Sequence, residues 1–172
     1  ATATAEAAMM SVAAAKKANR MLISDTVDPK TIRVVETYAK YHGIDLRRIA
    51  MTDGVTDKDN LKTLLAEGSV AGVILQMPNY YGIVEDFSGI ADMVHEEKAL
   101  LTINSIASDL AILKTPGEWG ADIAVGDGQS LGIPVSMGGP GIGYMCCTEK
   151  LMRKIPGRIV GMTKDNRNQR AF

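Results

Sequence analysis

The sequence predicts an α/β domain built as three layers, α/β/α, around a mostly parallel sheet. Three observations carry that expectation. Short apolar runs alternate with single amphipathic helices along the whole chain, the pattern of consecutive βαβ units. One run, VAGVILQM at residues 70–77, is apolar but for Gln76, as a strand covered on both faces requires. The chain has 172 residues, 46% hydrophobic and 23% charged, enough for one domain with its own core. No internal repeat, low-complexity tract or linker divides it, so residues 1–172 read as one domain.

The elements follow in order. The alanine-rich opening, ATATAEAAMMSVAAAKKAN, has high helix propensity, with Lys16 and Lys17 placed for its C-terminal dipole. RMLISD is a short strand. In DPKTIRVVETYAKYHG, Asp28 is the N-cap, Pro29 the first helical residue and Gly43 the stop; Ile32, Val35 and Ala39 share one face. LRRIAMTD is a strand. TDKDNLKTLLAEG is a helix with Leu61, Leu64 and Leu65 as its apolar stripe. After the strand at 70–77, DFSGIADMVHEEKA is a helix with Ile90, Met93 and Val94 inward. LLTIN is the next strand, and SDLAILKTPGEWG is a short helix broken by Pro116 and Gly117. ADIAVGD and GIGYMCCTEK are strands around a glycine-dense loop, and EKLMRKI is a last short helix. Ligands of such sheets sit beyond the carboxyl ends of the strands, here the loops DTVDP, TDGVTD, QMPNYYG, NSIASD and GDGQSLG.

Composition narrows the function. A net charge of -1 steers the chain to neither nucleic acid nor anionic membrane. No apolar run reaches the roughly 18 residues of a spanning helix. Two adjacent cysteines, Cys146 and Cys147, suit a reducing, cytoplasmic home, and in an apolar strand they read as buried thiols. The chain opens at Ala1 inside a helix and stops at DNRNQRAF without a closing element, so a fragment of a longer protein is expected.

Standard nucleotide motifs fail. The pairs Gly126/Gly128 and Gly139/Gly141 would need third glycines where Leu131 and Tyr144 stand, and no Gly-Lys dipeptide exists for a P-loop. HEEKA lacks the second histidine of a zinc motif, so His95, like His42, reads as a solvated helix-end residue. VSMGG lacks the first glycine of a nucleophile elbow.

Several stretches together resemble the glycine cleavage system P-protein, the pyridoxal-phosphate (PLP) glycine decarboxylase. They are ATATAEA, DGVTDKDNLKTLL, GVILQMPNYYGIVED, GEWGADIAVGDGQSLGIPVSMGGPGIGYM and LMRKIPGRIVG, and they span nearly the whole chain. The resemblance is to subunit 1, the α-type half of split enzymes, truncated to its large-domain region. It implies the large domain of a fold type I PLP-dependent transferase. It also implies a glycine dehydrogenase (decarboxylating) that releases carbon dioxide from glycine and passes the aminomethyl group to the lipoyl arm of H-protein. Subunit 2 and H-protein are the implied partners, in a heterotetramer, with self-association of the isolated piece.

In the catalytic half of that family a lysine just before the glycine-rich strand holds the cofactor. Laid on GQSLGIPVSMGGPG, that position is Gln129, and no lysine lies between Thr115 and Glu149. The aspartate that pairs with the pyridine nitrogen falls at Asn104, which supplies no negative charge. The resemblance therefore implies a non-catalytic subunit, with no cofactor-binding or metal residues of its own and PLP carried by subunit 2. Two readings compete. An active fold type I enzyme, such as an aminotransferase or desulfurase, needs the missing lysine; a Rossmann-like nucleotide-binding protein needs the failed glycine fingerprints. Two local questions stay open at this level. Gly138, Gly139, Gly141 and Gly143 serve either tight turns or the close approach of a partner, and Tyr80 and Tyr81 are either ordinary rim aromatics or interface anchors.

Overall fold

A computed structural model describes residues 1–172. Its centre is a six-stranded sheet. The strands are β1 (Arg20–Ser24), β2 (Asp45–Ile49), β5 (Val70–Gln76), β6 (Leu100–Ile106), β7 (Ile123–Asp127) and β8 (Gly143–Cys147). Their spatial order is β2-β1-β5-β6-β7-β8, with every pair parallel except the last. Two small hairpins lie outside it: β3 (Met51–Thr52) with β4 (Val55–Thr56), and β9 (Thr163–Lys164) with β10 (Arg170–Ala171).

Helices α1 (Thr2–Ala14) and α2 (Pro29–His42) cover one face, and α3 (Lys58–Ala66) and α4 (Ile90–Glu96) the other. The period-2 alternation of each strand feeds both cores. Leu22, Val73, Leu75, Leu101 and Ile103 meet Leu61, Leu65, Ile90 and Val94 from α3 and α4. On the opposite face Met21, Ile23 and Ile74 meet Ala5, Ala8, Ile32 and Val35 from α1 and α2. α1 also reaches a third cluster, in which Ala7 and Met10 pack on Ile123 and Val125. Alanine lets α1 lie close to the sheet, and β5 answers with a glycine. A Cβ on Gly72 would stand 3.0 Å from the Leu100 carbonyl oxygen and 3.1 Å from Ser11 Cβ.

Helix ends follow their sequence signals. Asp28 accepts from the Lys30 amide and Pro29 opens α2, while Gly43 closes it at φ 67. Asp57 caps α3 through the amides of Asp59 and Asn60, and these bonds hold its carboxyl below the usual range. At the far edge Arg20 bonds Asp45 at 2.9 Å and Glu67 at 3.0 Å.

Five expectations need correction. α1 ends at Ala14, so Lys16 and Lys17 lie beyond it and cap nothing. The strand expected over LRRIAMTD is two pieces, because residues 51–56 fold into the β3–β4 hairpin with Asp53 at φ 53. The segment after β6 makes only a 3-10 turn, Ala107–Ala111. Cys146 is exposed and Cys147 only partly covered, because β8 is the sheet edge. His95 is not merely solvated: its Nε2 pairs with Asp122 Oδ2 at 2.8 Å, tying the end of α4 to β7.

Candidate functional site

The parallel strands end together, and a cleft opens at their carboxyl edge. Two adjoining cavities, about 400 and 590 Å³, share Asp28, Lys30, Gln76, Pro78 and Ile106. The smaller extends to Asn104, Ser105, Gly126 and Asp127, and the larger to Arg33, Asn79, Tyr80 and Asp109.

Gln76, the last residue of β5, is the hub of the cleft wall. Its Oε1 accepts the Asp28 amide at 3.0 Å and the Asn104 side-chain amide at 3.3 Å. Its Nε2 donates to the Pro78 carbonyl at 3.2 Å. One neutral amide thus ties the start of α2 and the loop after β5 to β6. Asn104 stands in register with Gln76 on one side and Val125 on the other, which fixes it in the wall.

The β7 side is set by close contact. A Cβ on Gly126 would fall 1.6 Å from the Ser105 carbonyl oxygen, so this position takes glycine only. Tyr144 from β8 lies across it, its hydroxyl 2.7 Å from Ser105 Oγ. Burial pushes the Tyr144 phenol pKa up, although the Ser105 hydrogen bond opposes that shift. Gln129 opens a 3-10 turn after β7, its amide donating to Asp127 Oδ1 at 2.9 Å. Asn104 therefore lines the cleft, whereas Gln129 sits just outside its wall, at the start of the β7–β8 connection.

That connection is open. Leu131, Val135 and Met137 are 70%, 82% and 108% exposed. Gly138 has positive φ with free space around it, so no in-chain crowding explains it. An apolar cavity of about 310 Å³ lies beside it, lined by Leu131, Ile133, Ile142 and Tyr144 among others.

Sequence reasoning missed the other wall. Glu85 is 6% exposed and accepts the Thr56 amide and the Asn79 side-chain amide, each at 2.8 Å. Asn79 in turn donates to the Gly54 carbonyl and accepts from the Tyr81 and Ile83 amides. Beneath them the hydroxyls of Ser24, Thr26 and Thr56 bond one another at 2.8–3.2 Å. The result is a braced loop that presents Tyr80 and Tyr81, stacked edge to face, at the cleft rim. No local signal announces this network, because its partners lie up to 32 residues apart.

No group of three or more His, Cys, Asp or Glu side chains could hold a metal ion. No helix is long and apolar enough to cross a membrane.

Comparison with known proteins places this geometry. The glycine cleavage system P-protein family matches over residues 1–172. The chain belongs to that family. Among P-protein relatives, a probable glycine dehydrogenase (decarboxylating) subunit 1 from Listeria innocua is 46% identical over 171 residues. The corresponding protein of Moorella thermoacetica is 44% identical over 172. These matches cover 99% and 100% of this chain but 38% of each relative, so the chain spans about two-fifths of their length. A crystal structure of glycine decarboxylase (P-protein), in inhibitor-bound form, superposes with a TM-score of 0.88 at 35% identity, over 98% of this chain and 37% of that one. An aminotransferase from Bacillus subtilis, acting on ureidoglycine and glyoxylate, matches at TM-score 0.66 and 19% identity over 87% of this chain and 37% of its own, a likeness of fold alone.

Proposed function

We propose that residues 1–172 are the large domain of a non-catalytic subunit of glycine dehydrogenase (decarboxylating). In the assembled enzyme, PLP on subunit 2 would supply the electron sink for decarboxylating glycine, and the aminomethyl group would pass to the lipoyl group of H-protein. This chain would contribute the fold, the interface and one side of the pocket entrance.

The observation that carries the reading is the chemistry of the cleft. A cofactor held as a Schiff base needs a lysine at the β7–β8 connection and a carboxylate facing the pyridine nitrogen. The chain offers Gln129 and Asn104, and nothing between Thr115 and Glu149 is a lysine. Asn104 is engaged with Gln76, amide to amide, with no charge to lend. The one cleft lysine, Lys30, stands at the opposite end, on the first turn of α2. These residues do not fit a covalently held PLP. The exposed apolar connection at residues 131–142 supports the second half of the reading, a surface for subunit 2.

The test is co-expression of the full-length subunit with subunit 2, followed by size analysis and a glycine–bicarbonate exchange assay. The expected result is co-purification and exchange only when both are present. Exchange by subunit 2 alone at the same rate would contradict it.

A further inference from the structure

The turn that follows β7 is built around the apolar pocket beside it. Six residues line that pocket, Ala107, Gly128, Leu131, Ile133, Ile142 and Tyr144, and none carries a charge. Hydrogen bonds hold its shape. The Leu131 amide donates to the Gly128 carbonyl at 3.1 Å and the Ile133 amide to that of Gln129 at 2.9 Å, which closes the turn. The Gly128 amide donates to the Ile142 carbonyl at 2.9 Å and joins the two ends of the connection. Ser130 Oγ donates to Ser108 Oγ at 3.0 Å and ties the turn to the segment after β6. The Tyr144 hydroxyl is engaged inward, 2.7 Å from Ser105 Oγ and 3.2 Å from the Ser105 carbonyl, so its ring is left as wall. Val135 and Met137 lie outside this lining, on the free part of the connection.

The chemistry of the lining selects the occupant. A charged or strongly polar group would lose its hydration there and find no partner. An apolar group gains, because Leu131 and Ile142, 70% and 49% exposed, leave water with it. The pocket measures about 310 Å³. A cavity of about 150 Å³ lined by apolar side chains already holds a benzene ring, so one large side chain fits. The Listeria and Moorella relatives are each a subunit 1 by name, which makes a second subunit the partner at hand.

We propose that this pocket anchors the contact with subunit 2 by receiving one large apolar side chain from it. Resting on the subunit reading above, this makes the connection unequal. A side chain enclosed on several sides is stripped of water, whereas one lying on open surface is not, so the pocket outweighs Val135 and Met137 in binding.

The experiment uses full-length subunit 1 and purified subunit 2, with their affinity measured by titration. Ala107→Phe fills the pocket, and Leu131→Asp puts a charge at its rim. Each should weaken association by about tenfold, against about threefold for Val135→Ser/Met137→Ser. As isolated subunits both pocket variants should melt within about 2 °C of wild type. A photoreactive benzophenone side chain at residue 131 should cross-link to subunit 2, at a peptide whose large apolar residue, changed to Ala, weakens association by about thirtyfold. Wild-type affinity in both pocket variants would overturn the proposal, as would an effect no larger than that of the Val135/Met137 pair. So would a cross-link within subunit 1 or a lower melting temperature of the isolated variants, either of which means that subunit 1 covers the pocket itself. Failure of the unaltered subunits to associate is a different result, and overturns the subunit reading together with the anchor.

Discussion

Two loops border the same edge of the sheet and are built on opposite plans. The loop after β5, residues 77–87, is braced from within by Asn79 and Glu85, both buried, bonded to each other and to the β3–β4 hairpin at Gly54 and Thr56. The β7–β8 connection, residues 128–142, has glycines and exposed apolar side chains and few bonds to the rest of the chain. The first loop is shaped by its own domain whatever lies beside it. The second leaves its apolar surface for something else to cover, which is where subunit 2 is proposed to sit. Variants in the two loops should therefore behave differently, with and without a partner.

The largest effect is expected at Glu85. Glu85→Ala leaves the Thr56 amide and one N–H of the Asn79 side-chain amide without an acceptor, both in buried surroundings. The cost should be about 3 kcal/mol, the penalty for two unmet buried donors. Urea unfolding of the isolated chain measures it, and a loss under 1 kcal/mol would remove the contrast between the loops. Gly126→Ala should cost about 2 kcal/mol, because β6 must move to clear the Ser105 carbonyl; retained stability in the same assay would mean that the two strands separate freely.

Tyr144→Phe removes the bond to Ser105 and should cost about 1 kcal/mol at neutral pH. It should also change the alkaline limb of stability. The folded-state pKa of Tyr144 is raised by burial, so the neutral phenol stabilises the fold below its unfolded pKa. That contribution is lost as pH rises through the raised folded value. The Phe variant should lack this part of the alkaline loss in a pH series of unfolding curves; an unchanged limb would show that the hydroxyl is not linked to folding. The smallest effect in isolation belongs to Val135→Ser/Met137→Ser, within about 0.5 kcal/mol, since both side chains are exposed. The same double variant in the full-length subunit should weaken association with subunit 2, read by size analysis of mixtures. Association as tight as wild type would place the interface elsewhere.

Much of the architecture was legible in the sequence because periodicity and caps are local. The run at 70–77 became strand β5, buried from Val70 to Leu75, and Asp28, Pro29 and Gly43 bound α2 as read. The edge was not legible. Nothing in GYMCC says that β8 has one neighbour, and a strand with one neighbour exposes Cys146. The hairpin at residues 51–56 carried a local signal, the Asp53-Gly54 dipeptide, both residues taking the positive φ that a two-residue hairpin turn requires. Of the candidate site, Asn104 could be placed on a strand end from the sequence. Gln76, Asn79 and Glu85 could not, because each gains its role from partners on other elements. The pairing of His95 with Asp122 was invisible for the same reason, being 27 residues away.

The most direct test of the central claim is a search for a PLP–lysine adduct on this chain. The protein would be incubated with a range of PLP concentrations and reduced with borohydride, and the modified peptides read by mass spectrometry, with subunit 2 in parallel. The account predicts a saturable adduct on subunit 2 at one lysine. On this chain it predicts only labelling of surface lysines that rises with PLP concentration, and at most a weak adduct in Gln129→Lys, since Asn104 still lacks the charge the ring needs. A saturable, stoichiometric PLP–lysine adduct on the unaltered chain, formed without its partner, would contradict the non-catalytic assignment.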